Sequence, residues 1–321
     1  MGNHAALPKE FLVLSAYCGS DPLRVQGPGG NTSIKLGETL WIKASGTELA
    51  NALSQDIFVG VDRAIALAEA KGAGDGTCQA AILDPERGLR PSIETTFHAL
   101  IDWPVVAHTH SVATLAHATS DKGIAEAKRK LDGLPVAFVP YRKPGRPLTE
   151  AIATELTPNT QVVVLGNHGL IVAGDSAEDV AALMGEVERR LAMPVLTDDP
   201  MAQGDAPDGF VWSNANALAQ DARLFSLATT GSYYPDHVVF LGPALPTKPV
   251  EGAPACLIEG QGVAVRKEAT SAQTAMAKCL NDVLTRLPAD WAPNAIGTDA
   301  EAELLNWDAE KYRQALAARQ S

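Results

Sequence analysis

Residues 161–191 read QVVVLGNHGLIVAGDSAEDVAALMGEVERRL, and this stretch decides the fold class. Gln161–Leu165 and Leu170–Ala173 are short apolar runs hinged at Gly166-Asn167-His168-Gly169, the pattern of two buried strands around a turn. Asp175-Ser176-Ala177-Glu178 then opens an amphipathic helix to about Leu191, since a hydroxyl cap and early acidic residues suit a helix N-terminus. Working outward, Thr149–Leu156 reads as a helix, Val136–Pro140 as a buried strand, and Val105–His110 as a strand followed by a helix begun at Ser111. Ile93–Asp102 is a short helix with Ser92 as its N-cap, and Asp62–Lys71 is helical before a turn at Gly72–Gly76. Thr32–Leu36 and Thr39–Ala44 form a hairpin across Gly37-Glu38, and Pro8–Gly19 is a first helix. Strands alternating with helices predict a layered α/β domain. Pro194–Asp208, rich in Pro, Asp and Gly, reads as a linker. Beyond it His237–Leu241 and Gly262–Val265 are strand-like, and Ser271–Leu287 and Ala300–Ala317 are helical.

Composition bounds the function. With 321 residues, 46% hydrophobic and 20% charged, the chain can bury a core, which excludes wholesale disorder. The 26 Lys+Arg against 38 Asp+Glu give a net charge of −12, which argues against nucleic acid and anionic membrane surfaces as partners. A small local basic pocket stays compatible with that charge. Cys18, Cys78, Cys256 and Cys279 are far apart and form no CxxC pair, so they read as reduced thiols of a cytosolic protein. No basic segment precedes the short apolar run Phe11–Ala16, and no apolar run approaches the roughly 18 residues of a membrane span. The expectation is a soluble cytoplasmic protein.

Three histidines stand out. His108 and His110 lie two apart on a predicted strand, so their side chains share a face. His168 sits in the Gly-Asn-His-Gly turn, where flanking glycines let an imidazole project into a site. Three imidazoles with an open position make a catalytic zinc arrangement, although an HxH alone is also compatible with ordinary surface histidines. Glu94 opens the predicted helix ahead of the HxH strand; it is either a favourable charge at a helix start or a general base near a metal. His98, one turn later, reads as a supporting hydrogen-bond partner. Gly27-Pro28-Gly29-Gly30-Asn31-Thr32-Ser33 offers glycines and donors for an anion, and Lys43-Ala44-Ser45-Gly46-Thr47 adds a cation and two hydroxyls. Each alone is commonly a turn; the pair within some twenty residues favours a phosphate or carboxylate site. The glycine spacing fits neither a P-loop nor a dinucleotide fingerprint.

The ordered set GGNTS, KASGTE, PSIETTFH, HTH and GNHGLIVAG resembles the class II aldolase/adducin family over roughly residues 10–230. The GPGGNTSIK form and the later YPDHVVFLGP and WDAEKYR stretches are most similar to the aldolase portion of bifunctional rhamnulose-phosphate aldolase/alcohol dehydrogenases, here expected to stand alone. The resemblance implies an α/β/α three-layer sandwich with a central, mostly antiparallel sheet. Residues 1–205 would be the catalytic domain, with 206–321 an extension of strand–helix units packed on it. It implies zinc held by His108, His110 and His168, Glu94 as acid/base, and Gly30, Asn31, Ser45, Gly46 and Ser92 around a phosphate, beside the Lys43 cation. Tyr141 would reach a neighbouring subunit's site in a homotetramer. The implied activity is retro-aldol cleavage of a ketose 1-phosphate, with a decarboxylase, an epimerase or an adducin-like scaffold as alternatives.

Overall fold

The computed structural model describes residues 7–319. Its centre is a seven-stranded sheet of β1 (Asn31–Leu36), β2 (Thr39–Lys43), β3 (Phe58–Asp62), β4 (Val105–Thr109), β5 (Val136–Val139), β6 (Val162–Leu165) and β7 (Gly169–Gly174). The spatial order is β3-β2-β1-β4-β7-β6-β5, antiparallel throughout except for the β5–β6 pair. Strands β4, β6 and β7 are buried along their whole length, which is why their apolar runs are nearly continuous: both faces are covered.

Seven helices cover this sheet: α1 (Lys9–Gly19), α2 (Arg63–Ala70), α3 (Thr95–Leu100), α4 (Val112–Ala118), α5 (Asp121–Lys130), α6 (Arg146–Glu155) and α7 (Ala177–Leu191). Alternation along the strands separates the two cores. Val105, Ala107, Val162 and Val164 pack with Phe11 and Leu14 of α1, Leu131 beside α5 and Met184 of α7. Val106, Val163 and Leu165 pack on the opposite face with Phe97 of α3 and Leu148 and Ile152 of α6. The result is the expected three-layer α/β/α sandwich.

The later residues form a three-stranded sheet of β8 (Phe210–Trp212), β9 (Ala255–Ile258) and β10 (Gly262–Arg266) in the order β8-β10-β9. With them go α8 (Ala217–Gln220), α9 (Ala222–Thr230), α10 (Pro235–Leu241), α11 (Ser271–Leu284), α12 (Thr298–Leu305) and α13 (Asp308–Arg319). Their apolar cluster takes in Val112, Leu115 and Ala116 of α4, so α4 is shared between the sandwich and the later residues.

Three expectations are corrected. His237–Leu241 is helical, within α10, not a strand: Pro235 occupies the first turn, and every residue of α10 is buried. An apolar run buried all round carries no periodicity to separate helix from strand, whereas proline at the first helical position favours helix. Ala300–Ala317 is two helices, α12 and α13, separated at Asn306-Trp307. Ser92 is not the cap of α3; the N-cap position is Glu94. Strand β3 escaped the sequence reading because Gly60 interrupts it; that glycine lies beneath the Trp41 ring, 3.3 Å from where a Cβ would sit.

On the α3 face of β1, Asn31, Ser33 and Lys35 alternate. The Lys35 ammonium donates to Trp103 O at 2.7 Å, and burial, with the Arg63 charge adding to it, pulls its pKa from 10.5 down to about 7. The unfolded chain holds that proton more tightly, so the fold is penalised below about pH 7 and gains stability as pH rises toward the unfolded value. Lys35→Met removes the penalty. Urea midpoints of the two proteins should therefore converge in the wild type's favour between pH 7 and 10; parallel profiles would refute the assignment.

Candidate metal centre and anion pocket

The site lies where β4 ends. Two-residue alternation puts His108 and His110 on one side, and the β4–β7 register, with Thr109 opposite Leu170, carries the His168 turn to the same place. Ring centroids are 4.9 Å apart for His108–His110 and His108–His168, and 5.3 Å for His110–His168. One ligand atom from each ring lies within 4.8 Å of the others, and all three residues are buried. This convergence requires a bare backbone: a Cβ on Gly169 would collide with the Thr109 carbonyl oxygen. Asn167 supplies the left-handed step of the turn at φ +52°, a conformation asparagine tolerates better than most residues. Its side-chain amide donates to Tyr233 O at 3.0 Å and Asn294 O at 2.8 Å.

The donor set fits a divalent metal. His108 Nδ1 lies 3.0 Å from Leu170 O, which places the ring proton there. His110 Nδ1 lies 3.1 Å from Asp236 Oδ2, and the carboxylate favours a proton on that nitrogen too. The two Nε2 atoms left over face each other at 3.1 Å, lone pair to lone pair, an arrangement that a cation between them relieves. Glu94 Oε1 is buried without a hydrogen-bond partner, a further orphan that a metal would satisfy. Burial depresses His108 to about 4 and His168 to about 3, keeping both imidazoles neutral near pH 7, the form that ligates.

Glu94 stands 3.5 Å from His108 Nε2 and 3.4 Å from His168 Nε2 through its two carboxylate oxygens. A hydrogen-bond relay aims it. Ser33 Oγ lies 2.7 Å from His98 Nδ1, His98 Nε2 bonds Asn31 Oδ1, and Asn31 Nδ2 donates to Glu94 Oε2 at 2.8 Å and to Ser92 Oγ at 3.2 Å. Burial opposes ionisation of Glu94, whereas the Asn31 amide donating to Oε2 favours it, and the carboxyl lies below its usual value. His98 is thus the supporting partner expected, acting through Asn31. The β1–β4 register, Asn31 opposite His108, is what brings the GGN motif to the histidines.

Around this centre the structure gathers Gly30, Asn31, Lys43, Ser45, Gly46 and Ser92 with Glu94, His110 and His168 on a cavity of about 20 Å³, with His108 wholly buried beside it. Gly30 is left-handed at φ +57°, and a Cβ there would sit 2.8 Å from His108 O. Lys43 lines the cavity, yet its ammonium donates to Pro28 O at 2.9 Å and Thr47 O at 2.6 Å, tying the two glycine-containing turns together. Tyr141 does not line this cavity. Its hydroxyl is buried without a hydrogen-bond partner, and burial, then Glu303 and Glu301, raise it to about 12. The residue that sequence reading missed is Asp236, which is 2% exposed and comes from α10. Its signal was the YPDH stretch, which the strand assignment of the next residues obscured.

The sequence profile of the Class II Aldolase and Adducin N-terminal domain family matches residues 23–195, more than half of the chain, and the chain belongs to that family. It is 30% identical over 194 residues to the uncharacterized oxidoreductase YuxG of Bacillus subtilis (strain 168), covering 54% of this chain and 28% of that protein. The chain therefore spans under a third of that relative's length. Among solved structures it resembles the N-terminal class II aldolase domain of a conserved protein from Thermoplasma acidophilum, at 28% identity and TM-score 0.52, over 60% of this chain and 97% of that one. L-fuculose 1-phosphate aldolase from Glaciozyma antarctica PI12 matches at 16% identity and TM-score 0.40, over 57% of this chain and 70% of that one.

Asp236 stands behind the His110 imidazole, and where an imidazole ligates a metal, loss of such a partner typically costs about 10–100-fold in affinity. Asp236→Asn should weaken zinc binding by that order in a chelator competition, with the circular dichroism spectrum retained. An unchanged affinity would remove Asp236 from the metal centre.

Proposed function

We propose that this member of the class II aldolase and adducin family is a zinc-dependent lyase that cleaves a small ketose 1-phosphate by retro-aldol reaction. The products would be dihydroxyacetone phosphate and an aldehyde. One observation carries the reading: a buried carboxylate, Glu94, is aimed at a cluster of three buried imidazoles beside glycine-rich turns. His108, His110 and His168 would hold the zinc, which when bound supplies Lewis acidity toward the substrate carbonyl.

The chain's own groups do the rest. Gly30, Ser45, Gly46 and Ser92 line the same cavity as Glu94, so a phosphate seated there would place the adjacent carbons next to the carboxylate. In the condensation direction Glu94 takes a proton from the carbon beside the carbonyl; in cleavage it gives that carbon a proton, while a base takes the hydroxyl proton of the carbon that leaves as the aldehyde. Asn31 keeps the carboxylate oriented, and the Ser33–His98 pair keeps Asn31 oriented. Burial excludes bulk water from the proton's path. The same reading makes the protein a cytoplasmic homotetramer, with Tyr141 serving a neighbouring copy.

Purified protein should carry about one zinc per chain, and His108→Ala should lose both metal and turnover. Glu94→Gln should keep the metal while turnover falls by about 10²-fold or more. The decisive assay screens ketose 1-phosphates with the metal stripped and restored. Release of dihydroxyacetone phosphate supports the lyase, and release of carbon dioxide from a sugar acid instead assigns decarboxylation. Silence from fully metal-loaded protein across the screen refutes a catalytic role of this kind.

A further inference from the structure

The cavity at the histidines is small, about 20 Å³, so the end of a substrate remote from the metal has to extend beyond it. Through Ser45, Ile93 and Pro144 it adjoins a chamber of about 530 Å³. Arg90 and Lys143 line this chamber together with Trp307 and Tyr312 of the C-terminal segment. That segment is seated on the site itself. A Cβ on Gly46 would lie 2.5 Å from Leu316 of α13, and a Cβ on Gly145 would lie 3.2 Å from the Trp307 ring.

The charges within the chamber are unequally matched. Arg146 is committed to Glu150 at 3.0 Å and to Gly72 O at 3.1 Å, Asp75 accepts from Thr77, and Asp308 faces Lys311. Arg90 and Lys143 meet aromatic faces instead: the guanidinium lies 4.1 Å from the Tyr312 centroid and the ammonium 4.8 Å from that of Trp307. Neither has a carboxylate partner among the described residues. A ring face holds a cation in place without cancelling its charge, so two positive groups are kept fixed and un-neutralised in a chamber that opens onto the metal centre, in a protein whose net charge is −12.

We propose that Arg90 and Lys143, backed by Tyr312 and Trp307, bind an anionic group, carboxylate or phosphate, on the end of the substrate remote from the metal. The inference rests on the sugar-phosphate reading above and narrows it: the substrate carries a negative charge at both ends. The C-terminal helix is then part of the substrate site.

The test is calorimetric binding to full-length, zinc-loaded protein of three ligands of one stereochemical series: a hexulose 1-phosphate, the 1,6-bisphosphate, and the hexulosonate 1-phosphate with its terminal carboxylate. At least one doubly anionic ligand should bind about tenfold or more tightly than the neutral-ended one, as charge-assisted contacts imply. Which one gains separates carboxylate from phosphate. In the Arg90→Met/Lys143→Met double variant that ratio should fall to about one, and Arg90→Lys should restore part of it in the single-site comparison. Equal affinity for all three in the wild-type protein, with the 1-phosphate still bound, overturns the anionic chamber and leaves the lyase reading standing. Binding of none of the three overturns both.

Discussion

Strand β4 runs down the middle of the sheet with a bare backbone pressed against it from either side, and that close approach is the constraint on which the site depends. Gly30 lies against His108 O and Gly169 against the Thr109 carbonyl. Side chains at either position would push β1 or β7 away from the end of β4, and Asn31 and His168 would leave the histidines. The sheet register does the remaining work, since Asn31 opposite His108 and Leu170 opposite Thr109 fix which residues meet.

A buried cluster of this kind is electrostatically expensive unless each group has a defined role. Here burial keeps the His108 and His168 imidazoles neutral, while the Asn31 amide, donating to Glu94 Oε2, favours the ionised carboxylate. The Ser33–His98–Asn31 relay removes the freedom that an isolated amide would have to rotate. Asn31 and Glu94 are therefore each oriented by a neighbour, which is the condition for a preorganised site.

The residues after 205 are not an appendage to this arrangement. Asp236 stands behind His110, the Tyr233 and Asn294 carbonyls anchor the Asn167 turn that bears His168, and α4 shares its apolar face with the later core. Leu316 and Trp307 then close over the anion turn and Gly145. Removing these contacts would loosen a histidine, a turn and a wall of the chamber together, so the architecture of the candidate site extends well past the residues that the family profile matches.

The sequence by itself determined a layered α/β domain and most of its strands, because β-branched runs punctuated by glycine turns leave little choice of element; the three-layer sandwich followed from the resemblance of its ordered motifs to a known family. It also singled out His108, His110, His168 and Glu94 as candidates, through residue type, strand spacing and the glycine-flanked turn. Local patterning failed where burial was uniform, as in α10, or where a glycine broke a strand, as in β3. Tertiary structure alone decided that Asn31 orients Glu94, that Lys43 ties two loops, that Tyr141 lies outside the cavity of its own chain, and that Asp236, Arg90 and Lys143 belong near the site. The reason is physical: what these residues do depends on which groups long-range packing brings within about 3–5 Å of them, the reach of hydrogen bonds and cation–π contacts, and residue type and spacing alone do not encode that distance.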